Sequence, residues 1–163
     1  MKALKISRFC AAVSLLLVMA SSIGFYMYML KRQNGMDVDC NTIIRYNHLN
    51  PDFTATLNLF FRLDKQFSGQ VVLSGYINSE GGPETVSRMI HFGYEVNRPG
   101  EISVSNMRYV KKSQDTASDE IFRHGFFYVP EGTVRQLRIN PLLNGWSIEN
   151  LQSPFALCVN KDR

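Results

Sequence analysis

The stretch "FTATLNLFFRLD", Phe53 to Asp64, sets Phe53, Ala55, Leu57, Leu59, Phe61 and Leu63 in alternation with Thr54, Thr56, Asn58, Phe60, Arg62 and Asp64. Successive side chains of a strand point to opposite faces, whereas a helix repeats every 3.6 residues. Such a run reads as a strand with one face in a core and the other in water. Phe60 is the exception on the wet face. It reads either as ordinary surface or as a contact with a second chain.

The chain beyond this stretch repeats the plan, with apolar alternation broken by turn residues. Val71, Leu73, Gly75 and Ile77 line a strand that ends at Gly81, Gly82 and Pro83, and Val86, Ile90, Phe92, Tyr94 and Val96 line the next, which ends at Arg98, Pro99 and Gly100. Ile102, Val104 and Val110 belong to its hairpin partner, and Ser113 to Glu120 reads as a polar loop. Phe122, Phe126 and Tyr128 alternate with Arg123 and Phe127 as a further strand. Leu137 and Ile139 precede a hairpin at Asn144 and Gly145, a dipeptide suited to the left-handed geometry of a tight turn. Trp146 and Ile148 come next, and Phe155 to Val159 closes the chain. A short helix near Thr133 to Leu142, ended by Pro141, is a second reading of that segment. Short strands at this spacing predict an all-β domain, an antiparallel meander closing into a barrel or folding as a sandwich.

A different pattern precedes the domain. From Phe9 to Leu30 there are 22 residues without a charge, a helix of about 33 Å and long enough to cross a bilayer core. Ala20, Ser21 and Ser22 offer a peptidase site. Cleavage there would leave Ile23 to Leu30 as an apolar new terminus, so the segment is expected to stay as an uncleaved signal anchor. Lys2, Lys5 and Arg8 lie before the span, and Lys31 and Arg32 lie after it. That bias places the amino terminus in the cytoplasm. The expected organisation is a cytoplasmic tail 1–8, a transmembrane helix 9–30, a linker 31–39 and a periplasmic β domain 40–163. The whole is a single-pass inner-membrane protein.

The anchor changes how the basic composition is read. Five of the 18 Lys and Arg flank the span, leaving 13 after position 32 against all 14 Asp and Glu, a balance of −1. The sequence pI near 9.1 therefore belongs to the membrane flanks, and direct nucleic-acid binding is not expected. Cys40 and Cys158 stand at the two ends of the outer domain. In an oxidising compartment they are the obvious disulfide, and a bridge between first and last strands suits barrel closure. Two buried free thiols are the other reading.

No nucleophile elbow, phosphate loop or zinc signature is present, and Ser74 and Ser153 have no neighbouring His. His48, His91 and His124 are scattered, with no ligand spacing to either cysteine, and His91 and His124 read as wet-face strand residues. No enzyme activity, cofactor or metal is expected. The aromatics Phe92, Tyr94, Phe126, Tyr128 and Trp146 are core filling or, as the second reading, the lining of an apolar ligand pocket.

The short basic tail, one apolar span, Cys40, "TATLNLFFRL", "VVLSGYI" and the terminal "PFALC" together resemble the FidL-like small membrane proteins. These are similar in size and topology to the ToxS and VtrC partners of ToxR-like and CadC-like transmembrane regulators. The resemblance implies a periplasmic domain that associates with the sensor domain of a membrane-bound transcription regulator. In the VtrC type it also implies a lipocalin-like barrel shared between partners that takes an apolar small molecule such as a bile salt. No ligand residues carry over.

Overall fold

The computed structural model describes residues 2–33, 35–49, 52–124, 128–130, 132–151 and 153–161, with the side chains at 2–12, 30–33, 48 and 124 left aside. The chain divides into two compact units, 1–35 and Met36–Arg163. The first contains one helix, α1 (Lys2–Gln33), whose described side chains, 13–29, are all exposed. Among the described residues no helix is long and apolar enough to cross a membrane. The stretch 13–29 is itself shorter than the about 20 apolar residues a bilayer core requires.

The second unit is a closed eight-stranded barrel with all neighbours antiparallel and in chain order. Its strands are β1 (Val38–Leu49), β2 (Asp52–Leu63), β3 (Ser68–Ser79), β4 (Gly82–Arg98), β5 (Glu101–Lys111), β6 (Arg135–Leu142), β7 (Gly145–Glu149) and β8 (Pro154–Asn160). A short helix, α2 (Asp119–His124), lies in the long β5–β6 connection. The barrel is the resolution of the barrel-or-sandwich alternative, and the alternating face of β2 is its inner wall. Phe53, Ala55, Leu57, Leu59, Phe61 and Leu63 are all buried. Residues 36–163 contain their own core, closure and covalent bridge, the properties of an independently folding domain.

Two expectations are corrected. Within 133–142 the helix reading falls: Arg135–Leu142 is strand β6, since Arg138, Ile139 and Pro141 pair with Glu149, Ile148 and Trp146. Pro141 sits near the end of the strand, where a missing N–H costs least. Conversely, Phe122 lies in α2 rather than in a strand and Tyr128 in no regular element, while Phe126 lies outside the described residues. The polar segment before α2 has a structural cause for its turn: Ser118 caps the helix, its Oγ accepting the N–H of Ile121 at 3.1 Å.

Val110 marks a subtler departure. On β5 the buried residues are Ile102 and Val104, and strict alternation would bury Val110 with them. A bulge intervenes, because His91 pairs with Arg108 but Gly93 with Ser105, and Asn106 takes a left-handed φ of 54°. The extra residue shifts the inward face by one. Met107 and Tyr109 then pack on the core, and Val110 is exposed.

The barrel has an entry end, where Met36 leads into it, and a far end, which carries α2. Tyr94 plugs the entry end. Its hydroxyl donates to the Asp64 carbonyl at 2.6 Å and accepts the Met36 N–H at 2.8 Å, while its ring lies against Phe67. Burial raises the Tyr94 pKa. The β2–β3 turn beside it is organised by Asp64, whose carboxylate accepts Ser68 Oγ at 2.7 Å and the N–H groups of Gln66 and Ser68 at 2.9 and 3.1 Å. Partial burial works to raise the Asp64 pKa, but the bonds from Ser68 and Gln66, with the Arg62 charge, leave it lowered overall.

The barrel closes where β8 meets β1. The ladder there is only two pairs long, Cys40 with Asn160 and Asn41 with Val159. Beside it stand the Cys40–Cys158 disulfide, bridging 118 residues, and a bond from Lys161 N–H to the Asp39 carbonyl at 3.2 Å. Gly145 on β7 lies so close to the Cys158 backbone that a Cβ there would overlap it.

Replacing Cys40 and Cys158 together by Ser should lower stability by about 4 to 5 kcal/mol at most, the chain-entropy figure for a loop of this length. Denaturant unfolding of the oxidised domain against the variant reads it. The depressed Asp64 pKa means the turn's contribution is complete above the unfolded value of 3.8 and is lost as pH falls through the lower folded value. Thermal midpoints from pH 5 to pH 2.5 should therefore fall more for the wild type than for Asp64→Asn.

Candidate functional site

A mostly apolar cavity of about 300 Å³ lies at the far end of the barrel. β1 supplies Ile44, Arg45 and Tyr46, β2 supplies Phe53, Ala55 and Leu57, and β3 supplies Ile77. α2 covers it with Ile121 and Phe122, and the start of β8 completes it with Ser153, Pro154 and Phe155. These elements meet because the barrel is lopsided. The strands β1 to β4 run 12 to 17 residues, whereas β7 and β8 run 5 and 7. Beyond Asn41, β1 has no ladder partner on its β8 side among the described residues. Past that point both strands border the cavity, β1 through Ile44, Arg45 and Tyr46 and β8 through Pro154 and Phe155.

The roof over the cavity is held by a buried ionic network. Arg88 projects inward from β4 with its side chain 5% exposed, and Asp115 in the β5–β6 connection is 0% exposed. The guanidinium Nε meets Asp115 Oδ2 at 3.1 Å and Nη2 donates to Oδ1 at 3.3 Å. Nη2 also donates to the Ala117 carbonyl at 2.8 Å, and Nη1 meets the exposed Asp119 at 2.9 Å. Asp115 also accepts the Ser87 N–H at 2.7 Å. Lys111 Nζ donates to the same Ala117 carbonyl. The guanidinium lies 4.3 Å from the centre of the Phe122 ring, a cation–π contact that fixes the residue facing the cavity. This arginine thus spends its donors on holding the connection and α2 against the barrel.

A shallower pocket of about 180 Å³ lies on the other side of α2, between Tyr109, Lys111, Arg123 and Tyr128. The Tyr109 hydroxyl accepts the Val129 N–H at 2.8 Å, and burial raises its pKa. A void of about 40 Å³ in the middle of the barrel touches Phe61, Phe92, Met107, Arg135 and Phe155. Arg135 pairs with inward-facing Val104 and so faces the interior, where burial lowers its pKa.

Of the aromatics singled out from the sequence, Phe92, Tyr94, Tyr128 and Trp146 are not among the described cavity residues, and Phe126 lies outside the described residues. Phe92 is core filling, its ring occupying the space above Gly69 and lying 6.3 Å from Phe61. Tyr94 closes the entry end. Tyr128 belongs to the shallow pocket, beside Tyr109. Trp146 is half-buried on β7 opposite Cys158 and is not among the cavity residues. The cavity is lined instead by the inward residues at the far ends of β1 to β3 and by α2. Their strand periodicity was visible, but the end of the barrel they occupy depends on register.

Among the described residues no group of three His, Cys, Asp or Glu is placed to hold a metal ion. His91 is half-buried on β4 between partners Gln70 and Arg108. Comparison with family models, curated proteins and solved structures finds no match.

Asp115→Ala leaves Arg88 buried without its main partner, so it should cost about 3 to 5 kcal/mol. Chemical unfolding measures the loss. Hydrogen exchange should show it concentrated in residues 112–124.

Proposed function

We propose that this chain is a membrane-anchored accessory protein of the inner membrane. Its periplasmic barrel associates with the sensor domain of a ToxR-like or CadC-like membrane-bound transcription regulator, with the far-end cavity contributing to a shared small-molecule pocket. The sequence supports the anchor: an uncharged segment 9–30 with Lys2, Lys5 and Arg8 before it. A helix apolar on all sides is suited to lipid rather than water. The resemblance to FidL-like proteins supports the class of partner. The anchor would confine both chains to one membrane and raise their effective concentration.

The observation that carries the reading is the unfinished seam. Above Asn41 the β1 edge has no ladder partner on its β8 side among the described residues, and unpaired strand edges are surfaces on which another chain can pair. The seam is flanked outside by apolar side chains, Ile43 at 64% exposed, Leu157 at 64% and Val159 at 50%. Its residues Ile44 to Tyr46 and Pro154 to Phe155 line the cavity, so a strand docked there would wall the ligand site.

A second reading, favoured by the cavity alone, is a stand-alone binding module for an apolar ligand. Purification of the tagged full-length protein from native membranes in mild detergent distinguishes the two. A co-purifying single-span regulator with a cytoplasmic DNA-binding domain is expected. Ile43→Glu should abolish its recovery while leaving the thermal midpoint of the barrel unchanged. Recovery of the protein alone would move the assignment to the stand-alone module.

A further inference from the structure

We propose that the far-end cavity binds a single-chain amphipath with an anionic head, its chain among Ile44, Phe53, Leu57, Ile77 and Phe122 and its head at Arg45. The inference rests on the reading that this cavity is a ligand site, and adds the chemical class that it selects.

Three observations converge. The walls are mostly apolar, which suits a ligand that buries hydrocarbon. The volume of about 300 Å³ is at the small end of ligand pockets, which favours a slender flexible chain over a bulky rigid skeleton. Arg45, on the outer face of the β1 edge beside the cavity, is the one Lys, Arg, Asp or Glu among the described lining residues. Arg45 is exposed and, among the described residues, no ion pair engages it. A head held there stays in contact with water, which avoids the cost of burying a charge.

The unpaired stretch of the seam supplies the route. Because among the described residues β1 and β8 pair only through Asn41, a chain can enter beside Ile44 and Pro154 without breaking ladder hydrogen bonds. Phe122, held under Arg88 by the Asp115 network, then covers it from α2.

Calorimetric titration of oxidised residues 36–163 at pH 7.5 tests this with decanoate, decylammonium and cholate, each below its micellar concentration. Decanoate should bind at least tenfold more tightly than decylammonium. Arg45→Gln should weaken decanoate about tenfold and strengthen decylammonium, bringing the two together, and Arg135→Gln should leave both unchanged. Ala55→Phe, which fills the cavity, should abolish binding of both chains. Ile121→Trp fills it from outside the sheet and serves the same purpose should Ala55→Phe fail to fold. Equal binding of decanoate and decylammonium, or insensitivity to Arg45→Gln, overturns the anionic class while the ligand site stands. Cholate binding more tightly than decanoate overturns the single-chain class in the same way. Absence of binding by all three overturns the ligand site itself.

Discussion

A barrel of eight strands is only as closed as its last seam, and here that seam is two residue pairs long. Cys40 and Asn41 meet Asn160 and Val159, and the disulfide from Cys40 to Cys158 lies within the same few residues. An antiparallel meander brings its first and last strands together only after every intervening hairpin has formed, so this contact has the highest loop-closure cost in the domain. A covalent bridge at that point reduces the entropy of the unfolded chain where the non-covalent ladder is weakest. The core inside depends on closure: only then are Leu59, Phe61, Leu73, Ile102 and Ile148 covered on all sides.

The same short seam makes the far end different from the entry end. At the entry end Tyr94, Met36 and Asp64 seal the barrel with short hydrogen bonds. At the far end β7 and β8 stop early, and the sheet is completed by a loop and a short helix. That substitution brings a buried arginine with it, because a loop that replaces a strand must be held by side chains rather than by a ladder. Arg88 serves this purpose by engaging Asp115, Asp119 and Ala117 at once. Among the described residues, Ile121 and Phe122 form the roof of the cavity.

Much of the fold was legible in the chain, and the misses have physical causes. The alternation of β2, the Gly81–Pro83 and Asn144–Gly145 turns and the terminal cysteines are local signals, each settled by neighbours in sequence. Phe122 misled because aromatic alternation over a few residues suits a strand, while the Ser118 cap and the pull of Arg88 select a helical turn. Val110 misled because a bulge at Asn106 reverses the inward face midway along β5. Phe92, Tyr94 and Trp146 stand away from the cavity lining, because strand periodicity does not say at which height of the barrel a residue sits.

The sequence by itself determined the strand periodicity, the apolar segment at 9–30, the near-neutral charge of the residues beyond position 32 and the pairing available to Cys40 and Cys158. Each depends on spacing along the chain or on a count. Only the tertiary structure decided that the strands close into a barrel, that the closing seam stops at Asn41 and that a cavity opens above it. Those are matters of register and relative strand length around the whole sheet, and a single unpaired edge is invisible until every other strand has been placed.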